Sequence, residues 1–231
     1  MDQFMHADFW IAVGQIIMID ILLGGDNAVV IALACRGLPP AQRTKGIIWG
    51  TAGAIVLRVI LIFFALTLLA IPYLKLVGAA LLLWIGVGLL KSDSEEEKLE
   101  GHSNLAGAIK TIVLADLVMS LDNVVGVAAA AKGNVPLLVF GLVISIPLII
   151  FGSTLILKLM DRFPIIITLG AALLGWVAGE MAISDPSVVA WAEQRHSLHT
   201  LIPALGAAGV VLTGKWLTSR QPPQTPVQVT T

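Results

Sequence analysis

The sequence predicts an all-α integral membrane protein with seven transmembrane helices, built as two inverted three-helix repeats followed by a C-terminal helix. Of the 231 residues, 57% are hydrophobic and 13% are charged, a composition typical of membrane proteins. Apolar runs of about 20 residues, the length that crosses a bilayer, alternate with short polar breaks. An aspartate-containing motif recurs at an offset of 96 residues, at Asp20 and Asp116. The composition excludes a soluble enzyme, and the scattered charges provide no basic surface for nucleic acid.

Seven apolar runs, bounded by charged residues, proline or glycine, are predicted to span the membrane. The third run is short, and only Pro72, Tyr73 and Lys75 separate it from the second. We therefore expect these two runs to form a tight hairpin rather than a re-entrant pair. The predicted spans are residues 9–35, 47–71, 74–90, 105–131, 135–157, 163–183 and 200–217.

The basic residues outside the predicted spans are distributed unevenly between the two sides of the membrane. Ten lysines and arginines fall on one side and three on the other, and cytoplasmic loops carry the excess of basic residues. We therefore expect a protein of the cytoplasmic (inner) membrane with its N-terminus outside and its C-terminus in the cytoplasm. The expected organisation is a first repeat at 1–91, an acidic cytoplasmic linker at 92–104, a second repeat at 105–184, a loop and seventh helix at 185–218, and a disordered cytoplasmic tail at 219–231.

Two segments repeat within the chain. DILLGGDNAVVIALACRGLPP, which begins at Asp20, aligns with DLVMSLDNVVGVAAAAKGNVP, which begins at Asp116. A second match places GAALLLW at 78–84 and GAALLGW at 170–176. A unit of three spans that is repeated in tandem inserts in opposite orientations, which is the inverted-repeat architecture of secondary transporters. We therefore expect a binding site between the two repeats.

Several ionisable side chains lie within the apolar runs, where each costs at least about 2.5–3.5 kcal/mol and indicates a functional site by default. They are Asp20, Asp26, Arg58, Asp116, Asp122 and Glu180. Asp20 and Asn27 share one face of a helix, as does the corresponding pair in the second repeat, whereas Asp26 lies about 100° away from Asn27. Gly24 and Gly25 are therefore expected to unwind the first helix locally and to turn Asp26 inward.

The aspartates and asparagines of the two motifs are predicted to converge on a transported cation. This candidate metal site consists of Asp20, Asp26, Asn27, Asp116, Asp122 and Asn123. Carboxylate and amide oxygens suit a hard divalent cation such as Mn²⁺, Ca²⁺ or Mg²⁺. Four carboxylates in a medium of low dielectric constant also favour proton uptake when the cation leaves. No permanently bound cofactor is expected.

Two of the other intramembrane residues have alternative interpretations. Arg58 either belongs to the pathway or gate for the cation, or pairs with one aspartate in a buried polar network that holds helices together. Glu180 lies near the outer end of the sixth predicted span, where it either lines the exit path or reaches water. Because one arginine cannot neutralise four carboxylates, we favour a cation site for the set as a whole.

The motif segments GGDNAVVIA at 24–32 and SLDNVVGVAAAA at 120–131 resemble those of the TerC family of integral membrane proteins. The resemblance extends from Trp10 to about Ile183, and within the family the chain is similar to a short, metal-transporter-like type. It implies the fold of LysE-type transporters, a link to tellurium resistance, and export of Mn²⁺ through the six motif residues. The sequence GEM at 179–181 also resembles the family, which implies a role for Glu180.

The expected function is the export of a divalent cation, Mn²⁺ above all, by alternating access with protons as the counter-ion. The expected partners are the lipid bilayer, the cation and protons, and the formation of a homo-oligomer stays open. Rival interpretations are a transporter of Ca²⁺ or a small solute, and a non-transporting membrane scaffold in the metal or tellurite stress response. An enzyme is disfavoured because the spans contain no Ser–Lys, Ser–His or HExxH arrangement.

Overall fold

The computed structural model describes residues 7–91, 104–130, 135–195 and 197–219, and within these ranges the chain is all-helical, with no β-strand. Seven helices have 18 or more residues, and one short helix lies between the last two of them. In chain order they are α1 (Ala7–Arg36), α2 (Pro40–Leu69), α3 (Leu74–Lys91), α4 (Leu105–Ala130), α5 (Val135–Arg162), α6 (Ile165–Ile183), α7 (Val189–Glu193) and α8 (Leu198–Ser219). The predicted acidic linker and disordered tail fall almost wholly outside the described residues.

Among the described residues, four segments are both long and apolar enough to cross a membrane: Pro40–Phe64, Pro136–Arg162, Ile165–Ile183 and Leu198–Ser219. The apolar helix Leu74–Leu90 is shorter. The all-helical, membrane-spanning class is therefore confirmed, whereas the count of seven spans stays a prediction. Several helices extend beyond the apolar runs, and α2 begins at Pro40 with a proline in its first turn. Proline is well tolerated there, because the first N–H groups of a helix have no intrahelical partner.

Helix α1 is continuous from Ala7 to Arg36 and passes through Gly24 and Gly25 without a break. The expectation that these glycines unwind the helix is therefore wrong. A glycine inside a helix costs about 1 kcal/mol relative to alanine. Unwinding in lipid would cost more, because it exposes N–H and C=O groups that have no water to bind.

The helices pack in two groups. In the central group, α1 packs against α5, α2 packs against α4, and α1 also contacts α4. In the flanking group, α6 packs against both α8 and α3, and α3 also contacts α8. The connection between α2 and α3 is short, as predicted for a hairpin, but α3 packs mainly against α6 and α8 rather than along α2.

The main apolar core lies where the two groups meet. It joins residues of the central group, such as Ile112, to residues of the flanking group, such as Leu82, Leu174 and Val210. A second apolar cluster, which includes Ile16 and Leu142, lies wholly within the central group. Apolar side chains therefore pack both between the two groups and within the central group.

Glycine residues bring α6 and α8 into backbone contact. A Cβ atom added to Gly175 would lie 2.4 Å from the carbonyl oxygen of Gly206, and one added to Gly179 would lie 2.4 Å from the Cα of Pro203. Gly175 and Gly179 are four residues apart and lie on one face of α6, which is the small-residue spacing that lets membrane helices approach closely. This contact fixes α8 against α6.

Candidate cation site

Arg58, in the middle of α2, is the centre of a buried polar cluster. Its Nη1 donates to Asp20 on α1, its Nη2 donates to Asp116 on α4, and its Nε donates to the hydroxyl of Ser120 at 3.0 Å. The two aspartates hold matching positions in the two repeated segments. Arg58 is 2% exposed, Asp20 is 2% exposed and Asp116 is 5% exposed. The structure therefore brings together the first aspartate of each predicted motif.

Two serines complete the hydrogen bonding of the carboxylates. Ser145 on α5 donates its hydroxyl to the second oxygen of Asp20. Ser120 donates to the second oxygen of Asp116 at 3.1 Å while it accepts from Arg58. All four helices of the central group thus contribute to one network, and each carboxylate oxygen has a donor.

The network is an ion triad, because one guanidinium faces two carboxylates. Charges taken out of water are tolerated only when they are paired and hydrogen-bonded. The pairing of Arg58 with an aspartate, which was one interpretation of the sequence, occurs here with two aspartates. Removal of Arg58 would leave two buried carboxylates without a positive partner, a strongly unfavourable arrangement.

Asn27 lies beside this network and has an unsatisfied side chain. It is 4% exposed, and neither its amide oxygen nor its amide nitrogen has a hydrogen-bond partner among the described residues. Its side chain lines a cavity of about 10 Å³, roughly the room needed by one water molecule. The lining residues are Asn27, Val30, Ile31, Ala54, Ile112 and Asp116. The cavity therefore joins an amide and a carboxylate inside an apolar shell.

Asp26 lies on a different face of α1 from Asn27 and is half-buried. Its carboxylate accepts the backbone N–H of Asn27 at 2.9 Å. Because α1 does not unwind at the glycines, Asp26 keeps its position about 100° around the helix from Asn27. Of the first predicted motif, the structure places Asp20 and Asn27 on the buried face and Asp26 beside it.

The second motif is only partly described. Asn123 is half-buried in α4, and the side chain of Asp122 lies outside the described part of the structure. Among the side chains that are described, no group of three or more His, Cys, Asp or Glu residues is arranged to hold a metal ion. The complete cage of six ligands therefore stays a prediction.

Glu180 lies in the flanking group, away from the helices that carry the ion triad. It is exposed near the end of α6, and its carboxylate accepts the indole N–H of Trp176 at 2.8 Å. Of the two interpretations of the sequence, this position favours a side chain that reaches the surface. A role for Glu180 in the pathway or gate stays a prediction.

A further buried aspartate, Asp185, was not predicted. It follows α6, is fully buried, and accepts the backbone N–H of Tyr73 at 3.0 Å and that of Lys75 at 3.1 Å. These groups lie at the start of α3, where N–H donors lack intrahelical partners and a negative charge is stabilising. Asp185 therefore caps α3 from another part of the chain.

Hydrogen bonding also keeps Asp185 ionised. Burial raises the pKa of its carboxyl, but hydrogen bonds from the side chain and backbone of Ser187, and from the backbone of Tyr73 and Leu76, outweigh that effect. The pKa of Asp185 falls from 3.8 to about 2. Tyr73 adopts a φ of 66°, a left-handed backbone conformation, at the turn that presents these donors.

Sequence signals for these missed residues were weak. Ser145 is a polar residue within a long apolar run, and Ser120 belongs to the second motif, but small hydroxyl residues are common in membrane helices. Asp185 lies outside the predicted spans, where an aspartate is ordinarily solvated. Only the tertiary contacts distinguish these residues from their neighbours.

Comparisons with known proteins place these features in a family. The family model described as "Integral membrane protein TerC family" matches residues 5–222. The uncharacterized membrane protein YjbE of Bacillus subtilis is 43% identical over 208 residues, which cover 90% of this chain and 95% of that protein. The UPF0053 inner membrane protein YgdQ of Escherichia coli is 28% identical over 67% of this chain and 73% of its own length. No solved structure matches the chain.

Proposed function

The chain belongs to the TerC family of integral membrane proteins, and from this premise we propose that it is a secondary transporter that exports Mn²⁺ across the cytoplasmic membrane. The observation that carries the proposal is the convergence of Asp20 and Asp116, from matching sequence positions, at the buried centre of four helices. Such charges are expensive within a membrane. A scaffold that acts through its loops does not require them for its activity, whereas a cation carrier does.

The packing of the helices supports an inverted repeat. If α1, α2 and α3 correspond to α4, α5 and α6, the contact of α1 with α5 becomes the contact of α4 with α2, and both are extensive. The contacts of α1 with α4 and of α3 with α6 map onto themselves. This pattern is the one expected around a two-fold axis between the repeats, and transporters of this architecture bind their substrates there.

The available ligands are oxygen atoms. The Asp20 and Asp116 carboxylates and the unpaired amide of Asn27 suit a hard divalent cation, and this class includes Mn²⁺ as well as Ca²⁺ and Mg²⁺. Asp26 and Asp122 add two carboxylates to the same helices. Because carboxylates in lipid need a positive partner or a proton, we propose that protons enter as the cation leaves, which makes the protein an antiporter.

We propose to test transport directly in proteoliposomes that contain the purified chain. Entry of Mn²⁺ is followed with a metal-sensitive dye in the lumen, and the lumenal pH is followed with a second dye. The native chain is expected to carry Mn²⁺ inward while protons move outward. Asp116→Asn and Asn27→Ala are expected to abolish this flux, because each removes a ligand at the centre.

Asp161→Asn is the matched control, since Asp161 is a partly exposed aspartate near the C-terminal end of α5. It should transport Mn²⁺ as the native chain does. Transport of Ca²⁺ without Mn²⁺ would overturn the proposed substrate. A native chain that moves no divalent cation would overturn the transporter and favour the scaffold.

A further inference from the structure

We infer that Arg58 is a built-in competitor of the transported cation, so that its guanidinium and the divalent cation hold the carboxylates of Asp20 and Asp116 in turn. This inference rests on the proposed function and concerns the same site. It gives Arg58 a positioning and selectivity role: the cation binds only when Arg58 withdraws.

The hydrogen bonding occupies all four carboxylate oxygens of Asp20 and Asp116. One oxygen of Asp20 faces Arg58 and the other faces Ser145. One oxygen of Asp116 faces Arg58 and the other faces Ser120. A hard divalent cation needs direct contact with such oxygens at about 2.0–2.6 Å. Arg58 and the cation therefore exclude each other from the two facing oxygens.

Charge balance favours a divalent competitor. The carboxylates of Asp20 and Asp116 carry two negative charges when both are ionised, and Arg58 neutralises one of them, with Asp26 as a further carboxylate within electrostatic range of the guanidinium. A monovalent cation in its place would leave the same net charge of the cluster and would gain little. A divalent cation neutralises both carboxylates, and in a medium of low dielectric constant that difference is large. Arg58 thus disfavours the binding of monovalent cations at the two carboxylates.

Withdrawal of Arg58 requires movement of a helix. The cavity next to Asp116 has room for about one water molecule, too little for a guanidinium. That cavity therefore cannot receive the guanidinium of Arg58. Helix α2 also packs closely against α4. A Cβ atom added to Gly50 would lie only 2.4 Å from the side chain of Ile112. Displacement by the cation would shift α2 against α1 and α4, which links binding to a change in helix packing.

The two repeats differ at this position. At the two offsets that relate the repeated segments, 96 and 92 residues, the counterpart of Arg58 is Thr154 or Ile150 on α5, and neither residue is charged. The hydroxyl of Thr154 donates to the backbone carbonyl of Ile150 at 2.7 Å, a bond within its own helix. A single guanidinium therefore serves both carboxylates, as a competitor of one cation should.

The test is equilibrium binding of Mn²⁺ to the purified full chain in detergent, with Arg58→Ala and Arg58→Lys as variants. Arg58→Ala removes the competitor, so this variant should bind Mn²⁺ about tenfold more tightly than the native chain does. A tenfold change is within the usual range of coupling between two ligands. Guanidinium chloride, at concentrations too low to unfold the protein, should reverse this gain in Arg58→Ala and leave the native affinity unchanged. A purely structural arginine predicts neither effect.

If Arg58→Ala does not fold, Arg58→Lys tests whether Arg58 competes with the cation. Lysine keeps the charge but cannot bridge two carboxylates as a planar guanidinium does, so Mn²⁺ should bind this variant more tightly than the native chain, by a smaller factor. Equal or weaker Mn²⁺ binding by the folded variants, with a native chain that binds Mn²⁺, would overturn this inference alone. A native chain that binds no Mn²⁺ would overturn the proposed function as well.

Discussion

Beside their apolar contacts, the helices of the central group are joined by charged and polar side chains, whereas α6 and α8 of the flanking group touch through backbone atoms. In the centre, Arg58 reaches from α2 to Asp20 and Asp116 on two other helices. In the flanking group, α6 touches α8 at Gly175 and Gly206, and the carboxylate of Asp185 binds N–H groups at the start of α3. Both groups bury polar atoms, but they hold them in different ways.

The difference indicates which part of the molecule can rearrange. A contact between side chains can be exchanged for another ligand without breaking a helix. A backbone contact between glycines, or a cap on backbone N–H groups, has no such freedom, because the helices themselves would have to separate. Under the proposed function, we therefore expect substrate exchange in the central group and a fixed frame in the flanking group.

The largest expected effect concerns the contact between α6 and α8. In Gly206→Ala the new Cβ atom would clash with the backbone carbonyl of Gly175, so the helices must separate. We expect a loss of about 3 kcal/mol, at the upper end for overpacking of a buried site. Thermal melting of the purified protein in detergent measures this loss.

Gly209→Ala is the matched control on the same helix. A Cβ atom at Gly209 meets nothing within 4 Å, so the variant should gain about 0.5–1 kcal/mol from the higher helix propensity of alanine. A lower melting temperature for Gly206→Ala together with a higher one for Gly209→Ala would support a rigid contact between α6 and α8. Equal melting temperatures would show that the flanking group is as adaptable as the centre.

The second effect concerns the cap on α3. Asp185→Ala removes the acceptor for the N–H groups of Tyr73 and Lys75, and we expect a loss of about 2 kcal/mol, the upper range for a helix cap. Asp185→Asn keeps one acceptor oxygen and should lose about half as much. Melting temperatures in detergent distinguish the two variants, and a loss of similar size in both would mean that the charge matters more than the acceptor geometry.

The same cap predicts a dependence on pH. The pKa of Asp185 is lowered from 3.8 to about 2 in the folded protein. Its carboxylate therefore contributes its full stabilisation above about pH 3.8. That contribution is lost as the pH falls toward 2. The difference in melting temperature between the native chain and Asp185→Ala should therefore be constant near neutral pH and narrow in acid. A difference that persists in acid would contradict the ionised cap.

The smallest effect is expected at the end of the central group where α2 begins and α5 ends. Arg43 on α2 pairs with Asp161 on α5 at 2.9 Å, but both side chains are partly exposed. Exposed ion pairs contribute about 0–1 kcal/mol, so Asp161→Ala should change the melting temperature little, and less in high salt. Arg43→Ala should cost more, because Arg43 also donates to the carbonyls of Arg36 and Leu38 at the end of α1. Equal losses of stability in Asp161→Ala and Arg43→Ala would show that Arg43 stabilises the protein mainly through the ion pair.

Some of the candidate site was predictable from the sequence. The pairing of Asp20 with Asp116 follows from the repeat, and the shared buried face of Asp20 and Asn27 follows from helical periodicity. The unwinding at Gly24 and Gly25 was predicted and is wrong, because local flexibility does not outweigh the hydrogen bonds that lipid enforces. Glu180 remained ambiguous, since one polar residue near a helix end has no periodic partner that fixes its environment.

The sequence by itself determined the membrane class, the positions of the long helices and the family, since these depend on hydropathy and on local motifs. The tertiary structure decided the partner of each buried charge. Arg58 meets Asp20 and Asp116, 38 and 58 residues away along the chain, and Asp185 meets the start of α3 more than 100 residues before it. Contacts of this kind depend on how helices from both halves pack, and no local pattern of residues encodes the distance between two helices.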